Sequence, residues 1–120
     1  GNGIRDKGAS ALAAVLKETQ ITNLDLWNNS LGSEGGAALA EGLKGNTTLQ
    51  SLNVDGHALQ IDELKGTKPT EEIDLSSKGL GAASAIIIAS CIKENGVLKE
   101  LNLRNNYLND QAKQALKDAA

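Results

Sequence analysis

The sequence predicts an α/β fold in which short strands and helices alternate as repeated units and stack into a curved solenoid. The first observation is a recurring apolar pattern. An aliphatic pair at i and i+2 is followed five positions later by a third apolar residue, as Leu24, Leu26 and Leu31; Leu52, Val54 and Leu59; Ile73, Leu75 and Leu80; and Leu101, Leu103 and Leu108. The second is the spacing. Leu24 and Leu52 are 28 positions apart, Leu52 and Ile73 are 21 apart, and Ile73 and Leu101 are again 28 apart. Self-similarity at such a period marks a repeat architecture. The third is composition. Trp27 and Tyr107 are the only aromatic residues, and Phe and Met are absent. A core without large rings must be filled by Leu, Ile, Val and Ala, which favours regular stacking of small elements.

Each aliphatic pair has period two, so both side chains point to one face of a short strand. The strands are expected near 23–27, 51–55, 72–76 and 100–104. Between them, Leu12 and Leu16, Leu39 and Leu43, and Ile88 and Ile92 lie four apart, the spacing of one helix face. Helices are expected near 6–17, 34–44, 82–94 and 110–119, with Asn109 or Asp110 as the last N-cap. A helix supplies the crossover that neighbouring parallel strands need. Strands stack about 4.8 Å apart and helices about 10 Å, so the stack bends with its strands on the concave side. Small residues such as Gly35-Gly36 and Ser84-Ala85 let a helix lie close to its neighbours.

The segments Ile21-Thr22-Asn23-Leu24-Asp25-Leu26-Trp27-Asn28-Asn29-Ser30-Leu31 and Leu98-Lys99-Glu100-Leu101-Asn102-Leu103-Arg104-Asn105-Asn106-Tyr107-Leu108 carry the pattern L-x-x-L-x-L-x-x-N-x-L or a close variant. In this the chain resembles the leucine-rich-repeat family, and its helical return segments are similar to the ribonuclease-inhibitor-like class. The resemblance covers nearly the whole chain. It implies one domain, 1–120, built as a right-handed β–α superhelix with a curved parallel sheet on the concave face and helices on the convex face. The units are 1–20 (partial), 21–48, 49–69 (short), 70–97 and 98–120. Because Gly1-Asn2-Gly3-Ile4 reads as the middle of a unit, the chain is expected to be a piece of a longer one. The resemblance also implies that Asn29 and Asn106, with Asn2 in the partial unit, bridge backbone groups of adjacent turns. His57 and Lys78 stand at the equivalent middle positions, where neither can copy an amide, so the ladder is expected to break there.

The unit after Leu59 is short, with Ile61 and Leu64 as its apolar anchors and Gly66 and Pro69 as helix stops. A single turn of α-helix or 3₁₀-helix is expected there instead of three turns. The helix at 82–94 is apolar all round, through Ile86, Ile87, Ile88, Cys91 and Ile92, which predicts extra burial under the short segment and the neighbouring helices, or else a partner surface.

Several function classes are disfavoured. The formal charge is −3, with Lys and Arg scattered, so no nucleic-acid partner is expected. The longest apolar run, 82–92, is too short to span a bilayer. Cys91 is the only cysteine, so no internal disulfide forms, and with no visible signal peptide an intracellular setting is favoured. His57 is the only histidine and lies far in sequence from Cys91. A metal site or a nucleophile–base pair needs more convergent groups, so no metal, cofactor or catalytic residue is expected. The start, Gly1–Gly8, lacks the spacing of a nucleotide-binding loop. The acidic run Glu71, Glu72 and Asp74 reads as solvated strand residues rather than an acid–base pair.

The functional expectation rests on the outward strand positions. These include Asp25 and Trp27, Asn53 and Asp55, Glu72, Asp74 and Ser76, and Glu100, Asn102 and Arg104. Stacking would align Asp25, Asn53, Asp74 and Asn102 in one column and Trp27, Asp55, Ser76 and Arg104 in the next. A polar, mostly acidic ribbon with one large ring suits a protein partner, since Trp is favoured at interface hot spots. The alternative is a scaffold or assembly subunit that uses its ends or convex side.

Overall fold

The computed structural model describes residues 21–26, 33–44, 48–93 and 95–119. The helix expected at 6–17, Asn2, Trp27 and Asn29 lie outside the described residues. In chain order the elements are β1 (Asn23–Asp25), α1 (Ser33–Lys44), β2 (Ser51–Asn53), β3 (Ala58–Gln60), α2 (Ile61–Lys65), β4 (Glu72–Asp74), α3 (Ala82–Ile92), β5 (Glu100–Asn102) and α4 (Asp110–Ala119).

Four of the strands fall where the aliphatic pairs predict them. β1 pairs parallel with β2, setting Leu24 opposite Leu52, and β4 pairs parallel with β5, setting Ile73 opposite Leu101. The continuous four-stranded sheet does not form. The short unit folds back as a hairpin, and β3 pairs antiparallel with β2, with Leu59 opposite Leu52. The result is a three-stranded mixed sheet, β1-β2-β3, and a separate parallel pair, β4-β5. The reason is local. Gly56 takes a left-handed φ of 97°, and its N–H donates to Asn53 Oδ1 at 2.8 Å, which reverses the chain directly after β2. Leu52 and Leu59 are both fully buried, and because β3 pairs with β2 the edge on which β4 would have paired is taken.

α2 follows β3 at once as five residues, anchored by buried Ile61 and Leu64 and stopped at Gly66 in the left-handed region. Its brevity keeps the short unit from covering α3. That task falls to α1 and α4, which pack on either flank of α3, with α2 adding a smaller contact. The apolar character of α3 is thereby explained: Ala83, Ala85, Ile87, Ile88, Ala89 and Cys91 are all buried. Helix α1 lies against α3 almost backbone to backbone. A methyl group on Gly36 would fall 2.7 Å from the Ala83 Cα and carbonyl oxygen, so only glycine permits the approach. Leu39, Leu43, Leu52, Leu59, Ile61, Leu64, Leu80, Ile87 and Ile88 form one buried cluster, with Leu24, Ile73, Leu101 and Leu116 packed partly buried against it.

Side-chain amides and one carboxylate tie the units together. Asn106 Oδ1 accepts from Lys78 N–H and Leu80 N–H, each at 3.0 Å, and its Nδ2 donates to the Leu75 carbonyl at 2.9 Å and the Leu103 carbonyl at 3.0 Å. The cation at Lys78 therefore sits in a turn whose backbone is held from the next unit. Asn95 makes a second bridge: Nδ2 donates to the Glu63 and Leu64 carbonyls at the end of α2, and Oδ1 accepts from Val97 and Leu98 N–H. Helix α3 has Gly81 at its N-cap, no side-chain cap of its own and no acidic residue in its first turn. Asp55 supplies what is missing from 26 residues away: Oδ2 accepts Gly81 N–H at 2.8 Å and Ser84 N–H at 3.3 Å. A carboxylate there satisfies orphan amides and meets the positive end of the helix dipole.

Replacing Asn106 with Ala orphans several half-buried backbone groups, and a loss of about 2–4 kcal/mol is expected in chemical denaturation. Asp55→Ala should cost about 1–2 kcal/mol by the same measurement, and Asp55→Asn less, since the amide oxygen still accepts.

Candidate functional site

The exposed face of β4 and β5 forms a broad concavity. It is a groove of about 710 Å³ lined by Glu72, Ile73, Asp74, Glu100, Leu101, Asn102 and Arg104. Parallel register sets Glu72 opposite Glu100 and Asp74 opposite Asn102. Glu72, Asp74, Glu100 and Arg104 are exposed, while Ile73 and Leu101 are half-buried and alternate with them. The period-two alternation thus puts the aliphatic residues toward the core and the carboxylates toward solvent. Three carboxylates and one guanidinium line the groove, and Glu72 and Glu100 make no ion pair among the described residues.

The last residue of β2, β4 and β5 uses one side-chain oxygen on the turn that follows. Asp74 Oδ1 accepts Ser76 N–H at 3.0 Å and Ser76 Oγ–H at 2.7 Å. Asn102 Oδ1 accepts Arg104 N–H at 3.0 Å, and Asn53 Oδ1 holds Gly56. These Asx turns fix the side chains before any partner arrives. They also act on Asp74 electrostatically. The Ser76 hydroxyl, then the Ser76 N–H, hold its carboxyl below the ordinary value of 3.8, with a smaller lowering from the Lys78 cation.

The two expected columns form only in part. Asp25 stands beside Asn53 in the first sheet and Asp74 beside Asn102 in the second, but the halves are not joined, because Asn53 pairs with Ala58 on its other side. In the second column, Ser76 is drawn to Asp74. Asp55 leaves the strand face altogether and turns to the N-terminus of α3, because the hairpin rotates the chain away after Asn53. Asn95 stands outside the repeat pattern, and its only signal in the sequence is the Asn95-Gly96 pair after a helix.

A second, smaller cleft of about 250 Å³ lies where the two sheets part, with Gln60 of β3, Glu63 and Leu64 of α2, and Glu72 to Leu75 of β4 on its walls and His57 of the hairpin turn beside them. Cys91 is buried in the core. Among the described residues no three His, Cys, Asp or Glu side chains converge as for a metal ion, and no helix is long and apolar enough to cross a membrane.

The depressed acidity of Asp74 has a direct test. A carboxyl lowered in the folded chain stabilises it above pH 3.8, and that contribution is lost as pH falls through the folded value. Ser76→Ala removes its largest cause, so the Asp74 carboxyl should titrate closer to 3.8 in an NMR pH series. An unchanged midpoint would assign the effect elsewhere.

A family model described as leucine-rich repeat matches residues 1–13 and 19–40. The chain is 31% identical over 125 residues to the NACHT, LRR and PYD domains-containing protein 3 of Rattus norvegicus, an alignment covering 96% of this chain and 12% of that protein. It is 36% identical over 105 residues to the Tonsoku-like protein of Bos taurus, covering 87% of this chain and 6% of that protein. The chain thus spans a small part of the relatives it matches. The family match and the relatives together support a leucine-rich-repeat protein.

Proposed function

We propose that the chain is a non-catalytic protein-recognition module whose units continue the ribonuclease-inhibitor-like pattern as a solenoid. It binds a partner protein on its strand face. Residues Asp25, Trp27, Asn53, Glu72, Asp74, Ser76, Glu100, Asn102 and Arg104 are the contact set. Asp55 contributes by holding α3 rather than by touching the partner. The relatives support the reading, since the rat protein is named for an LRR domain beside its NACHT and PYD domains.

One observation carries the proposal: Glu72 faces Glu100 across the sheet, exposed and without a counter-ion among the described residues. Like charges directly opposite each other cost stability. A partner that brings basic groups to the groove relieves that cost, and the Asx turns make the face rigid, which lowers the entropy lost on binding. Arg104 at the rim adds a site for a partner carboxylate.

A scaffold role through the C-terminal side has one observation in its favour. A groove of about 390 Å³ there is lined largely by Ile92, Leu98, Leu101, Leu103 and Leu116, an aliphatic surface suited to another stacked unit or subunit.

The test is capture of a partner by the chain, followed by variants. Trp27→Ala and Glu100→Ala should each weaken retention of that partner about tenfold or more while leaving the melting temperature near that of the parent. Retention unchanged in both, with loss on Leu103→Asp instead, would replace the strand-face reading with the scaffold one.

A further inference from the structure

We propose that the cleft between β3 and β4 accepts an extended, basic segment of a partner protein as an added strand. The inference rests on the protein-recognition reading and names a route for it that the repeat pattern does not contain. In the predicted sheet these two edges would not exist, since β4 would lie directly on β2.

The backbone supplies the first argument. The Glu71 carbonyl accepts Glu100 N–H at 3.0 Å, and Leu75 N–H donates to the Asn102 carbonyl at 2.8 Å. Alternate residues of a strand turn their main-chain groups to opposite sides, so the N–H and C=O of Glu72 and Asp74 point away from β5. On the other wall, Ile61 N–H donates to the Gln50 carbonyl at 2.8 Å and Leu59 pairs with Leu52, which turns the main-chain groups of Ala58 and Gln60 away from β2. β3 and β4 are not bonded to each other. Among the described residues no turn or loop bond fills the main-chain groups of Glu72, Asp74 and Ala58 or the Gln60 N–H, whereas the Gln60 carbonyl, at the N-cap of α2, is taken by the first turn of that helix. The open edge of β4 therefore borders the cleft, with the Gln60 N–H of β3 on its far wall, and an open edge is a template for strand addition.

Charge selects the occupant. The cleft wall carries the carboxylates of Glu63, Glu72 and Asp74, and no Lys or Arg is among its lining residues. Glu72 and Asp74 are two apart and share one face of β4. On a strand added beside β4, alternate residues stand about 5 Å from them, in position for cross-strand ion pairs. The residue between faces the other way, toward the side of Ile73 and Leu75, where a β-branched aliphatic fits. The recognised segment is thus extended, with Lys or Arg at alternate positions and Val, Ile or Thr between.

The test uses the 120-residue chain and the synthetic peptide Lys-Val-Lys-Val-Lys with blocked ends. Binding should slow hydrogen exchange at the Glu72 and Asp74 amides and shift the Gln60 resonance. A peptide with alternate backbone amides N-methylated should bind about tenfold more weakly, because it loses strand hydrogen bonds but keeps its charge. Equal binding by the methylated peptide, with shifts confined to Glu100, Asn102 and Arg104, would overturn the cleft proposal and leave the strand-face reading standing. No response at Glu72 or Asp74 to the basic peptide would overturn it too, while partner capture by the Trp27 variant judges the broader reading separately. Protection of those amides by self-association, seen as a dimer without peptide, would also overturn it in favour of a second copy of the chain.

Discussion

The pairing of Leu59 with Leu52 governs the rest of the structure. By folding back on β2, the short unit buries two leucines completely and closes the edge that the next parallel strand would have used. Full burial of two such side chains is worth several kcal/mol. The break between the sheets, the cleft beside β4 and the diversion of Asp55 toward α3 all follow from this reversal.

Much of the fold is legible in the residues. The i, i+2 aliphatic pairs locate β1, β2, β4 and β5, and the four-residue spacing locates α1 and α3. The shortness of α2 follows from Gly66 and the few apolar anchors after Leu59. β3 was not legible, because Leu59 fits two roles equally well. It can be the apolar residue that follows a repeat strand, or the inward residue of a new strand after a Gly56 turn. A one-residue feature of backbone geometry decides between them, and apolar spacing does not encode it. At the candidate site the same limit holds. Period two places Glu72, Asp74, Glu100 and Asn102 on one face, but Asp55 obeys that period and still departs, since its position depends on the path of the chain after Asn53.

Among the described residues the units are joined mostly by amide hydrogen bonds and close packing rather than by ion pairs. Asn95 and Asn106 each engage four or more backbone groups across turns. The exposed pairs Lys99–Glu71 and Lys44–Glu41 are solvated and contribute little. This division suits a recognition surface. Carboxylates that are not needed to hold the fold together can be committed to a partner, and their identity can change without loss of the scaffold beneath.

Asp55 shows a further effect of the reversal. A helix begun in one unit has its leading amides finished by a side chain of the unit before it, so neither piece is complete alone. Melting the hairpin would strip α3 of that anion, and fraying α3 would leave a carboxylate facing the core. The two should come apart in one step, and a force that peels repeats singly from a uniform stack would here meet a two-unit block.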